Sequence, residues 1–339
     1  MSKHQQDVSA LLEALTQTEE KVQREKAQKR KIANKLVAAL PKLAMEQRLA
    51  VLVQMANLLT VDELTENLTR LLSQHKVPLT NVASFQQLLV QATRRRQLFK
   101  FQSEWKLNNK RYAYKFIDEL GVKRPETYAF NQPLASIKPR LGSVLKPENG
   151  SSSQGVFIFD DHGGAFEVRT GESLATFDQV LTKARSMIHQ GAIKTDSWLL
   201  EEFIGDFEGG KPLPPVDLKF YCFYGEVGFV LEVERANQTR YCEWYPDGRL
   251  AETGRYADKS FIGTGFTSEQ LESAKRISKA TKTPFMRIDF IKSRQAFSFG
   301  EFTPRPGQFS SFNKAFDRYL GECYLSAEGR LLKSWLGKD

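Results

Sequence analysis

Phe285-Met286-Arg287-Ile288-Asp289-Phe290-Ile291 and Ala296-Phe297-Ser298-Phe299-Gly300-Glu301-Phe302-Thr303 are the two stretches on which the fold turns. Each alternates with the period of a strand, and the Lys292-Ser293-Arg294-Gln295 link is short enough for a hairpin. Arg287 and Asp289 then share one face of the first strand, and Met286, Ile288 and Phe290 the other. The same rule puts Phe299, Glu301 and Thr303 on one face of the second. A turn centred on Gln295 pairs Asp289 with Glu301 directly across the ladder. Cross-strand neighbours lie roughly 4.5–5.5 Å apart at Cβ, where like charges repel. A bound cation relieves that conflict, and two hard carboxylates suit a Mg²⁺ that carries substrate phosphates. The competing reading is a solvated charged face whose carboxylates are answered by Arg287 and Arg305.

Around this hairpin there is material for more than one domain. The chain has 339 residues, 41% of them hydrophobic, including 24 Phe. No run of about 18 apolar residues is present to span a membrane. The first fifteen residues lack the apolar segment and cleavage site of a signal peptide. Cys222, Cys242 and Cys323 are scattered, odd in number and without metal-ligand spacing, so they read as buried thiols in a reduced compartment. The expectation is a cytoplasmic protein. Its net charge of +9 invites a nucleic-acid reading. The excess is concentrated in the first hundred residues, however, and no nucleic-acid motif accompanies it. Sequence-specific nucleic-acid binding is therefore not expected. A basic surface suits an anionic polysaccharide, a nucleotide or an inner-membrane surface equally well.

Residues 1 to about 100 read as helical throughout, with no Gly and with Pro only at Pro41 and Pro78. Leu11, Leu12, Leu15 and Val22, then Ile32, Leu36 and Leu40, form an apolar stripe interrupted by the charged segment 19–31. Further helices are expected around Leu43–Leu59, after Thr60 and over Phe85–Leu98. The runs Lys29-Arg30-Lys31 and Arg94-Arg95-Arg96 read as solvated helix faces, or as docking points for a membrane surface, an acidic polymer or a partner enzyme. Residues 1–104 thus read as a helical bundle or arm for assembly or targeting. Residues 105–339 read as the domain that carries the chemistry.

From Trp105 onward Gly, aromatic and β-branched residues rise, and strands alternate with helices. A helix is expected over Asn109–Leu120, strands at Thr127–Phe130, Ser143–Pro147 and Val156–Phe159, and a helix at Phe177–Gln190. A buried strand follows at Trp198–Ile204, then a hairpin from Asp217–Phe223 and Val227–Glu234, and a helix at Ser268–Ala280. Hairpins and helices in this order give an α+β class and lack the βαβ rhythm of a Rossmann fold.

Three local features bear on function. Gly150-Ser151-Ser152-Ser153-Gln154-Gly155 has the glycine spacing of a P-loop, but Val156-Phe157 stands where Lys-Ser/Thr should follow, and a strand replaces the helix. A Gly/Ser-rich loop between strands can still cover phosphates with its backbone N–H groups, with Lys146 reaching them as a point charge. Otherwise it is a polar hairpin loop. Glu201-Glu202-Phe203-Ile204 ends an apolar strand in acids. It is either a core strand with a charged end or a site offering backbone groups to an adenine edge and carboxylates to a ribose. Lys219 sits mid-strand with Asp217 on its face, where it could neutralise a γ-phosphate or an acyl phosphate.

The order of these pieces resembles the ATP-grasp superfamily, most closely its TupA-like branch, named for teichuronopeptide biosynthesis. The matching stretches are NKRYAYKFIDELG (109–121), VLKPENGSSSQG (144–155), LLEEFIGD (199–206), DLKFYCFYGEV (217–227), FMRIDF (285–290) and FGEFTPRPG (299–307). The resemblance implies an ATP-grasp fold, two α+β subdomains clasping ATP, after an all-α N-terminal region. It implies Lys146 on the α- and β-phosphates, under the mobile loop of Gly150, Ser151, Ser152, Ser153 and Gly155. Glu201, Glu202, Phe203 and Ile204 would hold adenine, with Glu202 or Glu208 near the ribose. Lys219 would lie near the γ-phosphate. Asp289 and Glu301 would ligate Mg²⁺, with Arg287 facing the substrate carboxylate and Arg235 a second candidate at the acyl phosphate. Many ATP-grasp enzymes carry Asn two residues after the metal-binding Glu. Thr303 stands there in this chain, which leaves the second metal position open.

By this resemblance the chain is an ATP-dependent ligase joining a carboxylate to an amine. The substrates implied are an amino acid and a uronic acid of an envelope or capsular polymer. A kinase acting on a hydroxyl shares the same parts. A non-catalytic scaffold working through its basic arm is the third reading.

Overall fold

The computed structural model describes residues 3–100, 103–148, 153–160, 163–209, 211–235 and 238–337. Gly150, Ser151 and Ser152 of the expected phosphate loop lie outside the described residues. The chain divides into two compact units, Met1–Phe85 with Asp317–Glu322, and Gln86–Phe316 with Cys323–Asp339.

In the first unit α1 (Lys3–Ala39), α2 (Met45–Leu58) and α3 (Glu66–Gln74) are built from strong helix formers. Pro41 stands where α1 gives way to a short 3-10 turn, since its ring cannot continue the hydrogen-bond ladder. Thr65 caps α3 by accepting from the Leu68 N–H. Ala33, Leu52, Met55, Leu68 and Leu72 close the core of this unit. Lys29 pairs with Glu63 at 2.7 Å, and Arg30 donates to the Asp62 carbonyl. Two charges of the basic run thus tie α1 to the turn before α3 and are not simply solvated.

The second unit opens with α4 (Phe85–Phe99, less its first residue), α5 (Ser103–Leu107) and α6 (Lys110–Glu119), the last capped by Asn109. The second basic run is also partly committed. Arg95 donates to Tyr324 and pairs with Glu328, and Arg96 lies 3.9 Å over the Trp105 ring.

Two antiparallel sheets follow. The first comprises β1 (Thr127–Gln132), β2 (Ser143–Pro147), β3 (Phe157–Phe159), β4 (Ala165–Glu167), β5 (Ser173–Leu174) and, after α7 (Phe177–His189), β6 (Trp198–Glu202). Their spatial order is β1-β6-β2-β3-β4-β5. Leu145, Phe157, Phe159, Trp198 and Leu200 pack with Val180 and Ala184 of α7. By the period of two, Val144, Lys146, Ile158 and Glu201 point to the opposite face. β6 stops at Glu202, so Phe203 and Ile204 lie beyond the strand and not within it as expected. β7 (Asp206–Glu208) and β8 (Lys211–Leu213) make a small hairpin.

The second sheet has β9 (Val216–Phe223), β10 (Glu226–Glu234), β11 (Arg240–Trp244) and, after α8 (Ser268–Thr281), β12 (Met286–Lys292) and β13 (Phe297–Thr303), in the order β11-β10-β9-β12-β13. Both expected hairpins therefore belong to one sheet, joined where β12 pairs with β9. Leu218, Phe220, Cys222, Met286, Ile288 and Phe290 pack with Ile117 of α6 and Ile277 of α8. Asp217, Lys219, Arg287 and Asp289 are left on the other face. The register places Asp289 opposite Glu301, as the sequence requires.

One expectation fails within this hairpin. The register slips after Asp289, so that Phe290 opposes Phe299 and Gly300 is the extra residue of a bulge. The bulge turns Phe299 into the core beside Phe302, off the face of Glu301 and Thr303. A Cβ on Gly300 would stand 3.1 Å from the Asp289 carbonyl oxygen.

Two further points depart from the sequence reading. α9 (Lys314–Trp335) was not expected, although Phe316, Leu320, Tyr324, Ala327 and Leu331 form a helical stripe of buried residues. Cys222 and Cys242 are buried free thiols, but Cys323 is only half-buried. Among the described residues no helix is long and apolar enough to cross a membrane. Phe220 is fully buried and meets Phe266 and Phe290 edge-on. Phe220→Ala is expected to destabilise the second unit by about 3–5 kcal/mol, read from the urea midpoint of its unfolding transition.

Candidate active site

The charged faces of the two sheets line one cavity of 710 Å³, within the range of roughly 300–1,000 Å³ usual for small-molecule sites. On the five-stranded side the ladder sets two rows. Lys219, Asp289 and Glu301 stand in register across β9, β12 and β13, with Tyr221, Arg287 and Thr303 in the row beside them.

Asp289 is the centre of this arrangement. Its side chain is 5% exposed. Oδ1 accepts from Arg287 Nε at 2.7 Å, and Oδ2 accepts from Arg287 Nη2 at 2.6 Å and Lys219 Nζ at 2.7 Å. Burial pushes the Asp289 carboxyl upward, but the two cations outweigh it and hold the group below its ordinary range. Burial likewise opposes charge on Lys219 and Arg287, but Asp289, joined by Asp217 at Lys219 and by Tyr221 and Glu301 at Arg287, outweighs it and raises both pKa values. Arg287 also donates to Thr303 Oγ1 at 2.9 Å. Glu301 is far less committed, 50% exposed and 3.8 Å from Arg287. Arg305 takes no part in balancing these carboxylates. It lies over Trp105 and donates to Thr93 instead.

On the six-stranded side Lys146 of β2 pairs with the buried Glu201 of β6, which also accepts from Tyr114 Oη at 2.8 Å. Burial, then the Glu201 charge, push the Tyr114 phenol well up. Glu202 N donates to the Glu126 carbonyl at 2.8 Å and Phe203 N to that of Gly142 at 3.0 Å. Those two donors are committed within the protein, which leaves the buried Ile204 as the segment's next candidate donor at the cavity wall.

Of the residues singled out from sequence, the cavity brings together Lys146, Ser153, Glu201, Glu202, Phe203, Ile204, Lys219, Arg235, Arg287, Asp289, Glu301 and Thr303. Arg235 is engaged by Asp217 at 2.5 Å. Gly155 and Glu208 are not among the lining residues. A Cβ on Gly155 would stand 2.7 Å from Ile193 Cδ1, and Glu208 is exposed on β7 opposite Lys211.

Lys110 was overlooked. It lines the cavity from the first turn of α6 and makes no ion pair among the described residues. Burial, then the Lys146 ammonium, pull its pKa down to about 8. Tyr114 was missed for the same reason. Helical spacing puts the two residues on one face, but nothing local says that this face meets Glu201.

The donor set fits a magnesium ion of one kind. Among the described residues no cluster of three or more His, Cys, Asp or Glu could cage a metal. Two carboxylates and the Thr303 hydroxyl suit Mg²⁺ that keeps waters and takes its other ligands from phosphate. Asp289 would exchange its bonds to Arg287 and Lys219 for the ion.

A family model described as TupA-like ATP-grasp matches residues 89–325. The chain belongs to the TupA-like ATP-grasp family. No functionally curated protein matches it. Among solved structures, D-alanine–D-alanine ligase from Bacillus anthracis is 14% identical, covering 67% of this chain and 69% of its own, with a TM-score of 0.40. The ATP-grasp ligase PsnB, complexed with a phosphomimetic variant of its minimal precursor, Mg and ADP, is 11% identical over 67% of this chain at a TM-score of 0.39. The macrocyclase MdnC from Microcystis aeruginosa MRC, bound with precursor peptide MdnA, is 11% identical, covering 66% and 62% of the two chains, at 0.37. This TupA-like chain spans 60% of the length of PsnB.

The electrostatics give a direct test by NMR of labelled lysine side chains. Lys110 is expected to titrate with a midpoint near 8, and Lys219 above the ordinary lysine range. Lys146→Ala removes the repelling ammonium and frees Glu201, so it is expected to raise the Lys110 midpoint.

Proposed function

We propose that this TupA-like protein is an ATP-dependent, ADP-forming carboxylate–amine ligase that works through an acyl phosphate. The observation that carries the proposal is the convergence, on one cavity, of the Lys219–Asp289–Glu301 row and Arg287 with Lys110 and Lys146. Phosphoryl transfer asks a protein mainly for positioning and for charge at the moving phosphoryl group. In this reading Lys110 and Lys146 hold the α- and β-phosphates, and Lys219 the γ-phosphate. Ile204 and its neighbours receive the adenine, and Glu202 the ribose.

Arg287 orients the acid so that its carboxylate oxygen attacks the γ-phosphorus, and ADP leaves. The amine then attacks the acyl carbon, the C–O bond to phosphate breaks, and an amide forms as the amine loses its proton. Lys219, Arg287 and, from the rim, Arg235 neutralise the oxygens on which charge develops. Asp289, Glu301 and Thr303 would hold Mg²⁺, which supplies Lewis-acid stabilisation of the phosphate oxygens when bound. On the family resemblance, the acid is a uronic acid of an envelope or capsular polymer and the amine an amino acid, with the reaction on the cytoplasmic side.

Mg-ATP at about 100 times its dissociation constant is expected to stabilise the wild type by about 2.7 kcal/mol. The resulting rise in melting temperature should vanish in Asp289→Asn with Glu301→Gln. Across a panel of uronic acids and amino acids, ADP and free phosphate should appear only when both acid and amine are supplied. ³¹P NMR that finds the phosphate retained on a hydroxyl would overturn the ligase in favour of a kinase. Only charged Lys110 attracts phosphate, so nucleotide affinity is expected to fall as pH rises through about 8. Lys110→Met should weaken binding and flatten that profile.

A further inference from the structure

The N-terminal half of α1 makes no use of its own apolar face. Every side chain from His4 to Lys21 is exposed. Val8, Leu11, Leu12 and Leu15 are 47%, 70%, 60% and 66% exposed, although they share one face at helical spacing. A single helix of this length is marginal in water, because its first turn is costly and no tertiary packing supports it. The spacing also identifies the kind of packing that is missing. Val8, Leu11, Leu15, Thr18 and Val22 recur at alternating intervals of three and four, the seam of a two-stranded coiled coil.

We propose that this half of α1 pairs antiparallel with the same segment of a second copy of the chain. In the register that keeps the apolar seam continuous, Leu11 packs beside Leu15 of the other copy, and Val8 beside Thr18. Leu12, which lies just off the seam, meets its own counterpart at the two-fold axis. The flanking charges then agree. Asp7 comes within reach of Lys21 of the other copy, and symmetry makes this contact twice. A parallel pair has neither advantage, since Lys21 would face Lys26 of the other copy and Leu12 would face Asp7. Charge also argues against an anionic membrane as the occupant, because residues 3–20 carry one lysine against four acids. This inference is independent of the nucleotide site.

Sedimentation equilibrium of the full chain, from low to high micromolar concentration, tests it. The wild type is expected to be a monomer–dimer system, and Leu11→Asp with Leu15→Asp a monomer whose helical circular dichroism is reduced. Asp7→Lys and Lys21→Asp alone should each raise the dimer dissociation constant by roughly tenfold. Together they should restore it. All these positions are exposed, so none of the substitutions disturbs a core. A wild type that stays monomeric throughout the range, or that sediments with anionic vesicles as a monomer, overturns the proposal. So does a dimer unaffected by the two leucine substitutions. A double charge swap no tighter than the single ones overturns the antiparallel register.

Discussion

A carboxylate buried between two cations is the constraint on which the second unit depends. Asp289 is buried in a sheet whose other face is largely apolar, and an isolated charge there would cost several kcal/mol. It is tolerated because Lys219 on one neighbouring strand and Arg287 on its own strand supply three charge-assisted hydrogen bonds. Asp289 holds both cations charged and they hold it ionised, against burial acting on all three and the mutual repulsion of the cations. The cluster is therefore more than a stabilising contact. In the proposed function it is a preassembled set of charges that receives a polyanion accompanied by a metal.

The backbone around the cluster serves the same arrangement. Opposed pairs across β9, β12 and β13 put side chains on a common face without any loop being involved, and sheets position groups more rigidly than loops do. The bulge at Gly300 lets β13 present Glu301 and Thr303 to the cavity while Phe299 and Phe302 both stay in the core. An unbulged strand would have to put Phe299 on the same face as Glu301. The opposite wall is built differently. There a buried Glu201 restrains Lys146 and Tyr114, and Lys110 stands nearby without an ion pair among the described residues. One wall is internally neutralised and the other retains a cation of lowered pKa, so an entering anion meets an open charge.

The two basic runs show why charge counts mislead. Lys29 and Arg30 are engaged by Glu63 and the Asp62 carbonyl, and Arg95 and Arg96 by Tyr324, Glu328 and Trp105. A sequence shows the sign of a run but not its partners, which lie about thirty residues from Lys29 and Arg30 and more than two hundred from Arg95. What remains unpartnered on the N-terminal half of α1 is an apolar face, and residues 3–20 carry one lysine against four acids in a chain whose net charge is +9.

Local periodicity was enough to determine much of this protein. Alternation and a four-residue link placed Asp289 opposite Glu301, and the bounds of the helices and strands expected after Trp105 fell within a few residues, although β4, β5, β7, β8 and β11 were not expected. The buried stripe of α9 was equally legible but went unread. Tertiary structure alone decided that Lys219, 70 positions earlier, completes the row, and that Tyr114 reaches Glu201 across 87 positions. It also decided that one strand would bulge at Gly300. The physical reason is that a strand's own period depends only on its backbone. Which strands become neighbours, and where a ladder slips, depends on burying both faces of a sheet at once, and that free energy is summed over a core no local window contains.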